Sequence, residues 1–303
     1  AITLYQRALR IGEHNLGSNH LNVANILNNL ATIYKDLDNY TEALQHLRRA
    51  LGIVETAFGY EHPYVAHILN GMATIYRDQG KYVEALSNYE KSLNIYKTTL
   101  GTNHPDVAAS LHYIARVYQA LGNYPEALSH YNQSIAILEE VLSDDHPYMA
   151  EILTNLAELY EVVGSYAEAL PRYEKALAIA ESALGPNHPN VAQTLSRLAR
   201  LYNHQRNYAE AIPRYERALK IFETTFGPKN NYVAQTLNNL AISYADQGDY
   251  IKAQPYYERA LEIRETTLGP DHPYLENILI NLSSVHRSRG NTAQAIAYLK
   301  RSK

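Results

Sequence analysis

Cysteine and tryptophan are absent from the 303 residues. Without cysteine, disulfides and thiol chemistry are excluded, and the redox compartment stays open. A basic excess is also lacking: 27 Lys and Arg stand against 31 Asp and Glu, a net charge of -4. A nucleic-acid or anionic-membrane surface needs such an excess, so neither partner is expected. No apolar run approaches the length of a membrane span, and the first residues do not read as a signal peptide. A cytoplasmic setting is expected on those grounds. Catalytic signatures are missing too: there is no phosphate-binding glycine loop ending in Lys-Ser or Lys-Thr, no His-Glu-x-x-His and no glycine-flanked serine elbow. His62 and His67 are five apart, the wrong spacing for one helical face, so no metal pair forms there. The sequence therefore predicts no enzyme, no catalytic residue and no cofactor.

What is present is a period. Glycine follows Leu or Phe at Gly17, Gly59, Gly101, Gly185, Gly227 and Gly269, and Ser143 fills the missing step of a strict 42-residue interval. His-Pro follows at His62, His104, His146, His188 and His272, with His20-Leu21 and Asn230-Asn231 as the exceptions. Tyr40, Tyr82, Tyr124, Tyr166, Tyr208 and Tyr250 keep the same spacing, and Thr292 ends the series. A period without drift means copies of one structural unit. The copies run 18–59, 60–101, 102–143, 144–185, 186–227, 228–269 and 270–303 in a single array. Residues 1–17 match the second half of a preceding copy, Ala1 aligning with Ala43, which predicts a fragment of a longer array.

Each copy carries two apolar stripes of helical spacing. Val23, Ala24, Leu27, Leu30, Ala31 and Tyr34 form one; Tyr40, Ala43, Leu44, Leu47, Ala50, Leu51 and Val54 form the other. The short link between them holds Gly80, Gly122, Gly164, Gly248 or Gly290, suited to a left-handed C-cap. Asp38 tolerates that geometry and Arg206 is mildly strained by it. The unit is thus an antiparallel helical hairpin. The stretch "ALGPNHPNVAQTL" resembles an active-site loop, yet its recurrence argues otherwise. Gly185 ends a helix, Pro189 fits the first turn of the next, and His188 falls at or beside the N-cap, where it shapes the chain. The repeated tyrosines, including Tyr5, Tyr89, Tyr131, Tyr173, Tyr215 and Tyr257 in mid-second-helix, read as core with hydroxyls reaching the edge. Pro171, Pro213 and Pro255 predict small kinks rather than breaks.

Two helices per copy, small residues at Ala31, Ala43 and Ala50 and aromatics at fixed offsets resemble the tetratricopeptide repeat. The segment "LGPNHPNVAQTLSRLARLYNHQRNYAEAIPRYERALKI", Leu184 to Ile221, is similar to the 42-residue repeats of kinesin light chains and related bacterial proteins. The resemblance covers essentially the whole chain. It implies an all-α fold, an α-solenoid (a right-handed superhelix) of about fifteen helices, and first helices lining a concave groove. The last copy departs from the pattern at Ser283, His286 and Thr292, which reads equally as a capping copy or as drift.

On the face opposite the first stripe, asparagine recurs at two template positions. Asn28, Asn70 and Asn238 occupy one; Asn29, Asn155, Asn239 and Asn281 occupy the next. Asparagine is a middling helix former, and its amide can clamp a peptide backbone through a donor and an acceptor together. The resemblance assigns these positions to holding an extended cargo peptide; the alternative is hydrogen bonding to the neighbouring copy. Arg116, Glu158 and Arg200 share a further position, with Arg197, Glu151 and Glu161 on the same face. They form either an ion-pair ladder or a site with net positive charge for a partner's carboxylate. Arg77 points into the same groove, where the resembling family has a basic residue for acidic cargo. Glu174-Lys175 and Glu216-Arg217 read as a solvated face. The expected function is a scaffold or adaptor binding a protein or peptide segment. The alternative is a structural scaffold self-associating end to end or presenting its convex face.

Overall fold

The computed structural model describes residues 2–142 and 146–302; Ser143, standing where other copies have glycine, lies outside the described residues. Fifteen α-helices are present there, and no strand. The first helices of the hairpins are α2 (Leu21–Asp36), α4 (Pro63–Asp78), α6 (Pro105–Ala120), α8 (Pro147–Val162), α10 (Pro189–His204), α12 (Asn231–Asp246) and α14 (Glu276–Ser288). The second helices are α1 (Ile2–Leu16), α3 (Tyr40–Phe58), α5 (Tyr82–Leu100), α7 (Tyr124–Val141), α9 (Tyr166–Leu184), α11 (Tyr208–Phe226), α13 (Tyr250–Leu268) and α15 (Thr292–Arg301). The fold is an all-α solenoid. It falls into two compact units, residues 1–144 and 145–303. Within each unit a first helix packs most closely on the second helix of its own hairpin, then on the preceding second helix. First helices also touch one another, α2 with α4 and α4 with α6 in one unit, α8 with α10 and α10 with α12 in the other.

The histidines are caps. Nδ1 of His20, His62, His104, His146, His188 and His272 accepts the backbone N–H two residues on, and Oδ1 of Asn230 does the same. An orphan helix donor is thereby satisfied in every copy. Proline opens α4, α6, α8 and α10, where its missing N–H costs nothing. Pro273 instead opens a short 3-10 turn, Pro273–Leu275, and α14 starts only at Glu276.

Two kinds of turn link the helices, and they make different demands on the sequence. Within hairpins the link is a Schellman motif. Lys81 N–H bonds the Tyr76 carbonyl at 2.8 Å and Gly80 N–H that of Arg77 at 2.9 Å. The residue between helix and bond is left-handed: Gly80 at φ 74, but also Asp38 and Arg206, each at φ 57. Between hairpins the glycine sits elsewhere, Gly185 at φ 87 and ψ 155 and Gly59 at φ 84 and ψ 173. That region is open essentially to glycine alone. Opposite signs follow for two substitutions. Arg206→Gly is expected to stabilise by about 1 kcal/mol, because it relieves a left-handed side chain. Gly185→Ala is expected to cost about 1–3 kcal/mol. Chemical unfolding of the two variants checks both signs.

Helices α9, α11 and α13 continue through Pro171, Pro213 and Pro255 without a break. Core formation follows the two stripes: Ala31, Ala43 and Ala50 are fully buried, which lets the paired helices approach closely. Tyr89, Tyr131 and Tyr173 are completely buried. Their hydroxyls do not reach the edge. They meet the first helix of their own hairpin, at Thr74 (2.8 Å), Gln119 (2.9 Å) and Glu161 (3.1 Å). A buried hydroxyl must find a partner somewhere, and the hairpin supplies it.

The tyrosines ending the first helices act both within and between hairpins. Rings pack on the residue twelve further on in the same hairpin, as in Tyr118 with His130 at 5.5 Å or Arg172 over Tyr160 at 4.5 Å. The hydroxyls of Tyr202 and Tyr244 donate to Glu174 and Glu216 on the preceding second helix. Arg217 reaches back as well, 2.5 Å from Glu181 and 2.9 Å from the Pro186 carbonyl. Glu174, Glu216 and Arg217 are therefore connectors between copies and not a merely solvated face. Tyr202 and Tyr244 join a first helix to the preceding second helix, and Arg217 with Glu181 joins two successive second helices. In the last copy, Ser283 Oγ donates to the Ala295 carbonyl at 2.8 Å and His286 stacks on Tyr298.

Candidate functional site

Every residue expected to contact a partner lies on a first helix. In the first unit α2 carries Asn28 and Asn29, α4 carries Asn70 and Arg77, and α6 carries Arg116. In the second unit α8 carries Asn155, α10 Arg197 and Arg200, α12 Asn238 and Asn239, and α14 Asn281.

The two asparagine rows differ in what they face. Asn28, Asn70 and Asn238 are half-buried, and the equivalent residue in the third copy, His112, is completely buried. At this template position Asn70 Oδ1, Ser196 Oγ and Asn238 Oδ1 are buried without a partner inside the protein, and Asn70 Nδ2 lies 3.4 Å from Ser110 Oγ. This row turns inward. The next row is presented outward: Asn29 is exposed, while Asn155, Arg197, Asn239 and Asn281 are half-buried. Its amides and guanidinium belong to adjacent first helices.

In the first unit Arg77 donates from Nε and Nη2 to Asp78 Oδ1, at 3.1 and 2.8 Å, while its Nη1 is buried without a partner. His112 lies against the rings of Tyr113 and Tyr131. Burial, reinforced by the positive charges of Arg116 and Arg77, pushes its imidazole down to about 3. It is neutral at physiological pH and belongs to the core.

The second unit assembles a charged network. Glu158 Oε2 accepts from Arg197 Nη1 at 2.7 Å, and Glu158 Oε1 lies 3.4 Å from Arg200 Nη2. Arg200 also binds Glu161 with two nitrogens, Nε at 3.0 Å and Nη2 at 3.1 Å. Glu161 is nearly buried and takes the Tyr173 hydroxyl as well. Burial opposes the Arg200 charge, but the bonds to Glu161 outweigh it and raise its pKa. For Tyr173 burial comes first and Glu161 second, and both raise the phenol. Asn155 Oδ1 accepts weakly from Arg197 at 3.4 Å. Glu151 is exposed on the same helix. Arg116 belongs to the first unit, so the pairs made here are those of α8 with α10.

Beside this network α10 and α12 bound a pocket of about 260 Å³. It brings together three of the expected residues, Arg197, Arg200 and Asn239. Gln193 and Gln235, one period apart, line it too, with Ser196 and Thr236. One wall is aromatic: Tyr232 stacks on Phe222 at 5.2 Å. The sequence reading missed Glu161 as the anchor of Arg200, although both fall on the same helix face one copy apart. It also missed the two glutamines, whose shared template position was a usable signal. Asn238 and Asn281 do not line this pocket, and Asn28, Asn29, Asn70, Arg77 and Arg116 are placed in the first unit. Among the described residues no helix is long and apolar enough to cross a membrane.

A family model described as tetratricopeptide repeat matches residues 1–56, 64–140, 148–224 and 232–302. A comparison with curated protein sequences finds no match. Among solved structures, a putative kinesin light chain from Podosopora anserina with nearly identical TPR-like repeats is 29% identical, with a TM-score of 0.59 over 69% of this chain and 99% of that one. BtubC (BKLC) from P. vanneervenii is 24% identical, with a TM-score of 0.62 over 75% of this chain and 88% of that one. The Rap conjugation gene regulator of the plasmid pLS20, solved in complex with the Phr* peptide, is 17% identical, with a TM-score of 0.63 over 93% of this chain and 73% of that one.

Proposed function

Because the chain belongs to the tetratricopeptide repeat family, we propose that it is a scaffold holding an extended peptide or protein segment on its first-helix face. The observation that carries this reading is the outward row of Asn155, Arg197, Asn239 and Asn281 on successive first helices, with a pocket at Asn239 and Arg197. Side-chain amides at regular spacing offer a donor and an acceptor to each stretch of partner backbone. They hold a segment without reading its side chains. Arg77, the basic residue expected to meet acidic partner residues, is paired with Asp78 and its remaining Nη1 is buried, so it offers a partner carboxylate no exposed free donor. No catalytic role is assigned to any residue.

Changing Asn29, Asn155, Asn239 and Asn281 together to alanine tests this reading. A net hydrogen bond is worth about 0.5–1.5 kcal/mol, so losing two of them weakens peptide binding by about fivefold or more. Binding of a diverse fluorescent peptide pool is compared between the two proteins, with circular dichroism confirming the helices of each. A pool that ignores the original chain, or binds the variant equally, removes the proposal. The second-helix face and the array ends are then the remaining surfaces.

A further inference from the structure

The two arginines of α10 stand in different positions, although the sequence places them on one face. Arg200 is fixed by two nitrogens on Glu161, whose side chain is only 7% exposed and is bonded again by Tyr173. Arg197 is held by Glu158 across a single short contact, with both side chains about 30% exposed, 31% and 29%. An ion pair at that exposure is exchangeable, returning little net free energy over solvated ions.

Charge in the pocket is nevertheless closed. Of the lining residues only Glu158, Arg197 and Arg200 are charged, and Glu161 stands directly behind Arg200. Two carboxylates thus answer two guanidiniums. The rest of the lining is polar and neutral, Gln193, Ser196, Gln235, Thr236 and Asn239, beside the aromatic wall. A partner carboxylate arriving here would have to displace Glu158 from Arg197 and would give back what it gained, while meeting the displaced Glu158 at close range. A partner cation would find both carboxylates already paired.

We propose that Glu158 sets the charge preference of this pocket: by occupying Arg197 it excludes acidic side chains and selects an uncharged, hydrogen-bonding segment. The proposal rests on the peptide-binding reading for its biological use, but its chemistry can be tested apart from it. Glu158→Gln keeps an oxygen that accepts from Arg197 and removes only the charge. Arg197 then becomes a carboxylate site, while Arg200 stays on Glu161.

The experiment follows the arginine side-chain N–H signals of the full chain by NMR during titration with N-acetylglutamate amide and, in parallel, N-acetylglutamine amide. In the original chain the acidic probe is expected to move the Arg197 signal no more than the neutral one does. In Glu158→Gln the acidic probe moves it saturably and binds about fivefold tighter than to the original chain, the most that an exposed ion pair returns. The Arg200 signal stays in place, and the double variant Glu158→Gln, Arg197→Gln loses the response. Equal binding of the acidic probe by the original chain and the variant overturns the proposal, as does a variant whose Arg197 ignores the probe. Neither result depends on capturing a peptide, so failure of the peptide-binding reading registers separately, in the pool experiment.

Discussion

Tyr173→Ala is expected to destabilise the second unit by about 3–5 kcal/mol, the range for removing a large aromatic from a packed interior. Tyr173 is completely buried, and alanine leaves its ring volume empty between α8 and α9. The hydroxyl adds a second effect, because it donates to Glu161 at 3.1 Å, and Glu161 in turn holds Arg200. Tyr173→Phe keeps the packing and loses one hydrogen bond to a charged group, about 1.5–3 kcal/mol. Tyr60, which is 75% exposed, supplies the control, and its alanine variant is expected to stay within about 0.5 kcal/mol of the original. Urea unfolding of the three variants checks the order. If Tyr173→Ala unfolds at the same midpoint as Tyr60→Ala, the tyrosine series is not core.

Acid is expected to weaken the first unit through His112. Its folded-state imidazole is pushed down to about 3 by burial and then by Arg116 and Arg77, whereas an unfolded histidine titrates near 6.5. Between those values the unfolded chain binds a proton that the folded chain refuses. This contribution to stability is therefore fully present above about pH 6.5 and is lost as the pH falls, approaching about 1.4 kcal/mol per pH unit. At pH 5 the loss is about 2 kcal/mol. His46 and His130 add smaller losses of the same sign, since burial lowers them too. Replacing His112 with asparagine, the residue at this position in Asn28, Asn70 and Asn238, removes its share. The difference in unfolding midpoint between pH 7.5 and pH 5 is expected to shrink in the variant. An unchanged difference would mean that His112 is not held neutral.

Local signals carried most of the fold. The 42-residue period, the two stripes, the His-Pro caps and the glycine turns each depend on residues close in sequence, so they are legible in the sequence alone. His188 illustrates this: an N-cap needs only the two residues that follow it. What escaped depends on how one copy lies against the next. The Tyr202 and Glu174 pair is separated by 28 residues and the Arg217 and Glu181 pair by 36, distances set by the stacking of hairpins and not by either helix alone. Copies 42 residues apart repeat such pairs, as Tyr244 with Glu216 and Arg259 with Glu223 do, so the spacing was present in the sequence as a signal without an interpretation. At the site the face was legible and the partition was not. Arg197 and Arg200 look equivalent on a helical wheel, and only the contact with Glu161 separates them.

The measurement that most directly tests the account is a crystal structure of the chain bound to a peptide selected from a random displayed library. The account predicts an extended segment along the first helices of the second unit, its backbone hydrogen-bonded to the Asn239 amide and passing Arg197 with an uncharged residue in the pocket. A peptide seated on the second helices or at an array end, with Asn239 untouched, would contradict it.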